Sequence, residues 1–146
     1  MVTNERVLLL VVLVSVLLAG CGTEPVPASS IPVYPGADAI AHGENEMVDQ
    51  LAEIIQESAG DEGVGVEINL YRLPEGAAWT DVKAFYQNQI AGEEWVLEQN
   101  LSNESDVFST IGWSRGSGAS EQALIVGYIA DVLGGQGFLI TGLFSE

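Results

Sequence analysis

The sequence predicts an α+β domain, an antiparallel sheet of about five strands with two helices packed on one face. Three observations carry that expectation. Two stretches place apolar residues at helical spacing, and a stretch between them alternates with a period of two. The C-terminal third is a run of short apolar segments punctuated by Gly, Ser and Asn.

The elements follow in order. Ile31-Pro32-Val33-Tyr34-Pro35-Gly36-Ala37 reads as an extended arm, because each proline forces extended backbone before it and Gly36 permits a tight turn. Residues 44–59 fit an amphipathic helix, with Met47, Val48, Leu51, Ile54 and Ile55 on one face and Glu46, Asp49, Glu53 and Glu57 on the others. Gly60 is its expected stop. Residues 64–71 alternate as a half-buried strand, with Val64, Val66, Ile68 and Leu70 on one side. A second helix is expected over 78–90, with Val82, Phe85, Tyr86 and Ile90 as its buried stripe. Four further strands are expected at 95–101, 107–114, 122–130 and 138–144. The last two are apolar on both faces, which suits central or helix-covered strands.

Ahead of this domain the sequence has a different character. Residues 7–19 are predominantly apolar, as long as the core of an export signal and short of the roughly 20 residues needed to span a bilayer. The run ends in Leu18-Ala19-Gly20-Cys21, which resembles the lipobox of bacterial lipoproteins. That resemblance implies cleavage between Gly20 and Cys21 and acylation of Cys21, whose thiol is the nucleophile. Residues 22–30, small, polar and proline-bearing, read as a flexible tether. The expected organisation is a signal segment at 1–20, a lipidated tether at 21–30 and a single domain at 31–146. The location implied is extracytoplasmic, anchored by lipid to the outer face of the cytoplasmic membrane, or to an outer membrane where the host has one.

A second resemblance spans roughly residues 31–101. The Val33-Tyr34-Pro35-Gly36-Ala37 opening, a later strand, Val82 with Phe85-Tyr86 on a helix, and then Trp95 resemble small domains of bacterial lipoproteins of unknown function. The resemblance implies a fold and a location and supplies no activity.

Charge narrows the partners. The 146 residues carry 21 Asp and Glu against 4 Lys and Arg, a net charge of −17. Removing the leader takes away one acid, Glu5, and one base, Arg6, so the mature part keeps the same balance. Such a surface repels nucleic acid and anionic head groups. It serves solubility, or hydration in a saline habitat, or cation binding. The lone cysteine excludes an intrachain disulfide and thiolate zinc sites.

Catalytic patterns are sparse. His42 is the one histidine, so any Ser-His-Asp arrangement has to pass through it. Ser117 lacks a strand-to-helix elbow, and Gly134-Gly135 reads as a turn instead of a phosphate loop. For a divalent cation the best clusters are Asp61 with Glu62, and Asp38 with Glu44 and Glu46; neither has the spacing that wraps one ion. Trp79, at a helix start, is the best candidate for an exposed aromatic ligand patch. No cofactor is expected. The reading is a non-enzymatic, lipid-anchored binding or interaction domain with a protein or small-solute partner. The alternatives are a divalent-cation-dependent envelope component and a small carboxylate-based hydrolase.

Overall fold

The computed structural model describes residues 23–90, 94–131 and 135–146. The expected signal segment, and the cleavage and lipidation expected at Gly20-Cys21, fall outside the described residues. No helix among the described residues is long and apolar enough to cross a membrane.

Eight regular elements are described: β1 (Asp38–Ala39), α1 (Glu46–Asp61), β2 (Gly65–Arg72), α2 (Trp79–Ile90), β3 (Val96–Leu97), β4 (Phe108–Arg115), β5 (Gln122–Ile129) and β6 (Phe138–Ser145). The strands form one six-stranded sheet in the order β1-β2-β6-β5-β4-β3. Every neighbouring pair is antiparallel. β4, β5 and β6 form the expected hairpin meander. β6 then closes on β2, and β5 and β6 occupy the middle of the sheet.

The first helix begins where Asn45, in extended backbone, accepts a hydrogen bond from the Val48 N–H at 3.1 Å. It runs through Gly60 and ends one residue later. Gly63, at φ +75°, supplies the left-handed residue, Val64 N–H donates to the Ala59 carbonyl at 2.9 Å, and Gly63 N–H donates to the Gly60 carbonyl at 3.0 Å. This pair of bonds is a Schellman ending, which is why Gly63 and not Gly60 sets the boundary.

The helices do not share a face of the sheet, contrary to the sequence expectation. On β6, Leu139 and Leu143 belong to a cluster with Val82, Tyr86 and Ile90 of α2. Phe138 and Ile140 belong to another with Val48 and Leu51 of α1. Neighbouring strand residues point to opposite faces, so one helix covers each face. The physical reason is visible in the sequence. β5 and β6 are apolar on both sides, and each side needs a cover.

The expected strand at 95–101 is also shorter than its pattern. Pairing is confined to Val96 and Leu97 against Ser114 and Trp113, and a 3-10 turn follows at Gln99–Leu101. That turn seats the Leu101 side chain over Gly112, where an added Cβ would lie 2.6 Å from the Leu101 Cβ. The two-residue β1 is an addition to the expected elements.

Residues 23–31, expected in large part to be a free tether, are docked. Ala28 is 7% and Ile31 8% exposed, and both join the core on the α2 side. Val26 is held by Gln122, and the Glu24 carbonyl accepts from Arg115 Nη2 at 3.1 Å. The Arg115 guanidinium is buried, pairs with Glu94 and lies 5.3 Å from the Trp95 ring centroid. Val26 and Ala28 turn inward between exposed Pro25, Pro27 and Ser29, and a 3-10 turn at Ala28–Ser30 then brings Ile31 back to the core.

Candidate functional site

The two edges of the sheet are finished differently. Along β4, Val96 and Leu97 pair with Ser114 and Trp113, Glu98 N–H donates to the Gly112 carbonyl at 2.9 Å, and Asn103 and Thr110 exchange bonds at 2.8 and 3.0 Å. That edge is covered for most of its length. On the opposite edge, β1 covers only Arg72 and Tyr71, and Ile40 N–H donates to the Leu70 carbonyl at 3.0 Å. Backbone polar groups alternate sides along a strand. Leu70 faces β1, so the N–H and C=O groups of Ile68 and Val66 face the same edge. Among the described residues no strand pairs with them.

Beside this open edge lies a cleft of about 550 Å³. Its floor is Ile68, Asn69, Leu70 and Tyr71 of β2; its wall is the flank of α1, with Asp49, Ala52, Glu53 and Gln56; its end is Ala39, Ile40 and His42. Asp49, Glu53 and Gln56 share a flank because four and three residues separate them along the helix. Burial pushes the Tyr71 phenol up, so it remains a protonated donor at neutral pH.

Asp49 organises the end of the cleft. It is 7% exposed, one carboxylate oxygen accepts from the Gly43 N–H at 2.8 Å, and the other lies 3.1 Å from His42 Nδ1. This partner orients Nδ1 toward the protein, while the ring itself is exposed. The structure thus gives His42 the carboxylate partner that a triad requires. Among the described residues no Ser, Thr or Cys lines the cleft beside it, and the Tyr71 phenol is the hydroxyl that does.

The candidate cation residues do not converge. Asp38 stands opposite Arg72 in the β1–β2 ladder, Glu44 accepts from the Ala41 N–H at 3.3 Å, and Glu46 accepts from Gln50 at 3.4 Å. Asp61 and Glu62 close α1 and are exposed. Among the described residues no group of three or more His, Cys, Asp or Glu is placed to hold a metal ion. Trp79 is half-buried; its ring lies 6.0 Å from that of Tyr128, and its Nε1 donates to Glu104 at 3.3 Å. A shallow hollow there is shared with Asp106 and Ser109.

A separate hollow of about 220 Å³ lies between α1 and the sheet face below it. Leu51, Ile55, Phe108, Ile125, Ile140 and Phe144 line it, and Gly127 and Gly142 leave its floor low. The Phe108 and Phe144 rings lean over those glycines, within 3.2 and 3.1 Å of where a Cβ would stand.

Sequence reasoning did not single out Asp49, Glu53, Gln56 and Asn69 as a site. The available signal was the polar i, i+4, i+7 row flanking the apolar stripe of the helix, next to the lone histidine.

Fold and cleft together define a class: an antiparallel sheet with one helix on each face and an acidic cleft at its uncovered edge. Compared with protein-family models, with curated proteins and with solved structures, the chain has no match.

Proposed function

We propose that this chain is a lipid-anchored, extracytoplasmic binding domain without catalytic activity, and that the cleft between α1 and β2 is its ligand site. The observation that carries the reading is the cleft itself. It sets the polar side chains of Glu53 and Gln56 beside the unpaired backbone edge of β2 at Ile68. A concave surface with convergent polar groups is the default place for recognition.

The anchor rests on Leu18-Ala19-Gly20-Cys21 after an apolar run, with Cys21 the lone cysteine of the chain. Docking of residues 24–31 bears on how such an anchor would act. Only Gly22 and Thr23 separate Cys21 from Glu24, so a lipid there holds the domain close to the membrane instead of on a long leash.

Expression of the full chain in a bacterial host with labelled palmitate tests the anchor. Label on the wild type and none on Cys21→Ala supports it, and an unlabelled, uncleaved wild type refutes it. Binding is tested with the same protein by thermal melting against envelope solutes and peptides. A ligand at 100 times its dissociation constant raises stability by about 2.7 kcal/mol, and Glu53→Lys removes that rise if the cleft is the site.

A further inference from the structure

We infer that the open edge of β2 receives an extended, basic segment of a partner protein, which adds to the sheet as a further strand beside Gly65–Asn69. The inference rests on the cleft being the binding site and names what it binds.

The edge supplies the first part. Val66 and Ile68 present N–H and C=O groups outward in a line with β1, whose pairing stops at Leu70. A strand laid there continues the path that β1 begins, and its main chain satisfies groups that are otherwise left to water. The open length, about five residues at about 3.4 Å each, suits a short peptide segment. The opposite edge, sealed by β3 and the Asn103–Thr110 bridge, offers no such place. The sheet therefore has one docking edge among the described residues.

Charge supplies the second part. Side chains of an added strand alternate between the two faces of the sheet. On one face they meet the α1 flank, where Glu53 is exposed and has no ion pair among the described residues. On the other they lie next to Glu67 and Asn69. Among the described residues no Lys or Arg lines the cleft. Lys or Arg at either parity finds a carboxylate, whereas a second copy of this chain, at −17, brings like charge to the same edge. Backbone pairing gives the affinity, and the acids select a basic strand.

The test uses the full chain, processed by a bacterial host and held in mild detergent. Three labelled probes are titrated: an alternating Lys-Val peptide, its Glu-Val counterpart, and the Lys-Val peptide with alternate backbone nitrogens methylated. The Lys-Val peptide is expected to bind, to slow exchange of the Val66 and Ile68 amides, and to bind about tenfold more weakly to Glu53→Lys. The other two probes are expected to bind poorly. Equal binding of the methylated peptide makes the contact purely electrostatic and overturns strand addition. Binding without protection of those two amides does the same, as does no binding by any probe. Protection of the same amides in protein alone, rising with concentration, assigns the edge to a second copy and also overturns the proposal. If the peptides fail while a small solute is lost on Glu53→Lys, the binding-domain reading stands and only the strand reading falls.

Discussion

Gln122 grips Val26 through both of its backbone groups: the Val26 N–H donates to Oε1 at 2.8 Å, and Nε2 donates to the Val26 carbonyl at 3.0 Å. Gln122 is 2% exposed, and its Nε2 also donates to Ser145 Oγ at 3.1 Å. One side chain thus imitates a strand neighbour and ties the N-terminal segment to the end of the sheet. Its amide is fully used, so removing it strands Val26 and opens a hole at once.

Gln122→Ala is accordingly expected to release residues 23–30 and to cost roughly 1–3 kcal/mol, the range for leaving buried groups unpaired. Limited proteolysis separates the two effects. Cleavage before Ile31 should accelerate far more than cleavage inside the sheet. Equal rates of cleavage in both places would mean that Gln122 supports the whole domain and not the strap.

Tyr86 invites the opposite expectation. The side chain is fully buried between α2 and the sheet, and its hydroxyl makes no hydrogen bond of acceptable geometry among the described residues. Burial raises its pKa strongly, the nearby Tyr71 raises it further, and the backbone of Tyr34 only eases the rise. Tyr86→Phe keeps the ring and drops an unpaired polar atom, so the melting midpoint should hold or rise. Tyr86→Ala should cost about 3–5 kcal/mol, as loss of a buried aromatic ring does. A large loss on Tyr86→Phe would reveal a partner for the hydroxyl.

These two residues also mark how far the sequence is legible. Tyr86 falls on the buried stripe that helical spacing picks out, together with Val82 and Ile90. Helix existence and the meander follow from the same periodicities. The stripe of α1 is narrower than its composition suggests: Val48 is buried, whereas Met47 at 53% and Ile54 at 59% are exposed. The small Ala52 and Ala59 take those places against the sheet, and an apolar side chain next to a stripe looks the same in sequence as one within it. Which face each helix covers depends on β6 returning to β2, a long-range pairing that local pattern does not encode. The strap was illegible for a related reason, since Gln122 and Arg115 hold it from far along the chain. The cleft was legible only in parts, because His42 meets Asp49 through the turn at Gly43, and the β2 residues that line it are brought there by the sheet.

Gly112 tests the packing of the covered edge. A Cβ there meets Leu101 Cβ at 2.6 Å, Leu101 Cδ1 at 2.9 Å and the Leu124 carbonyl at 3.1 Å. Gly112→Ala is expected to destabilise by about 1–3 kcal/mol through overpacking. Because the clash falls mainly on one side chain, Leu101→Gly in the same protein, which removes both the Cβ and the Cδ1, should restore part of the loss. The double variant should then be more stable than the sum of the single effects predicts. Strict additivity in urea melts would show that the Leu124 carbonyl, and not Leu101, sets the limit.

Glu104 offers a pH measurement with a definite sign. Its carboxylate accepts from Lys83 Nζ and from Trp79 Nε1, and these bonds, Lys83 first, hold its pKa below the ordinary carboxyl value. A lowered folded-state pKa means that ionised Glu104 favours the folded state. That contribution is complete above the unfolded pKa and disappears as pH falls through the folded one. The pair is exposed to solvent, so its effect on stability is small and screened by salt. The pKa is the better readout. In a carboxyl-detected NMR titration, Lys83→Met should move Glu104 upward toward the ordinary value, and Trp79→Phe should move it upward by less. If neither change moves it, the shift has another source, and Trp79 and Lys83 merely lie beside the carboxylate. If Trp79→Phe has the larger effect, the indole bond outranks the ion pair, and the Trp79 hollow is held in shape by a neutral donor that salt does not weaken.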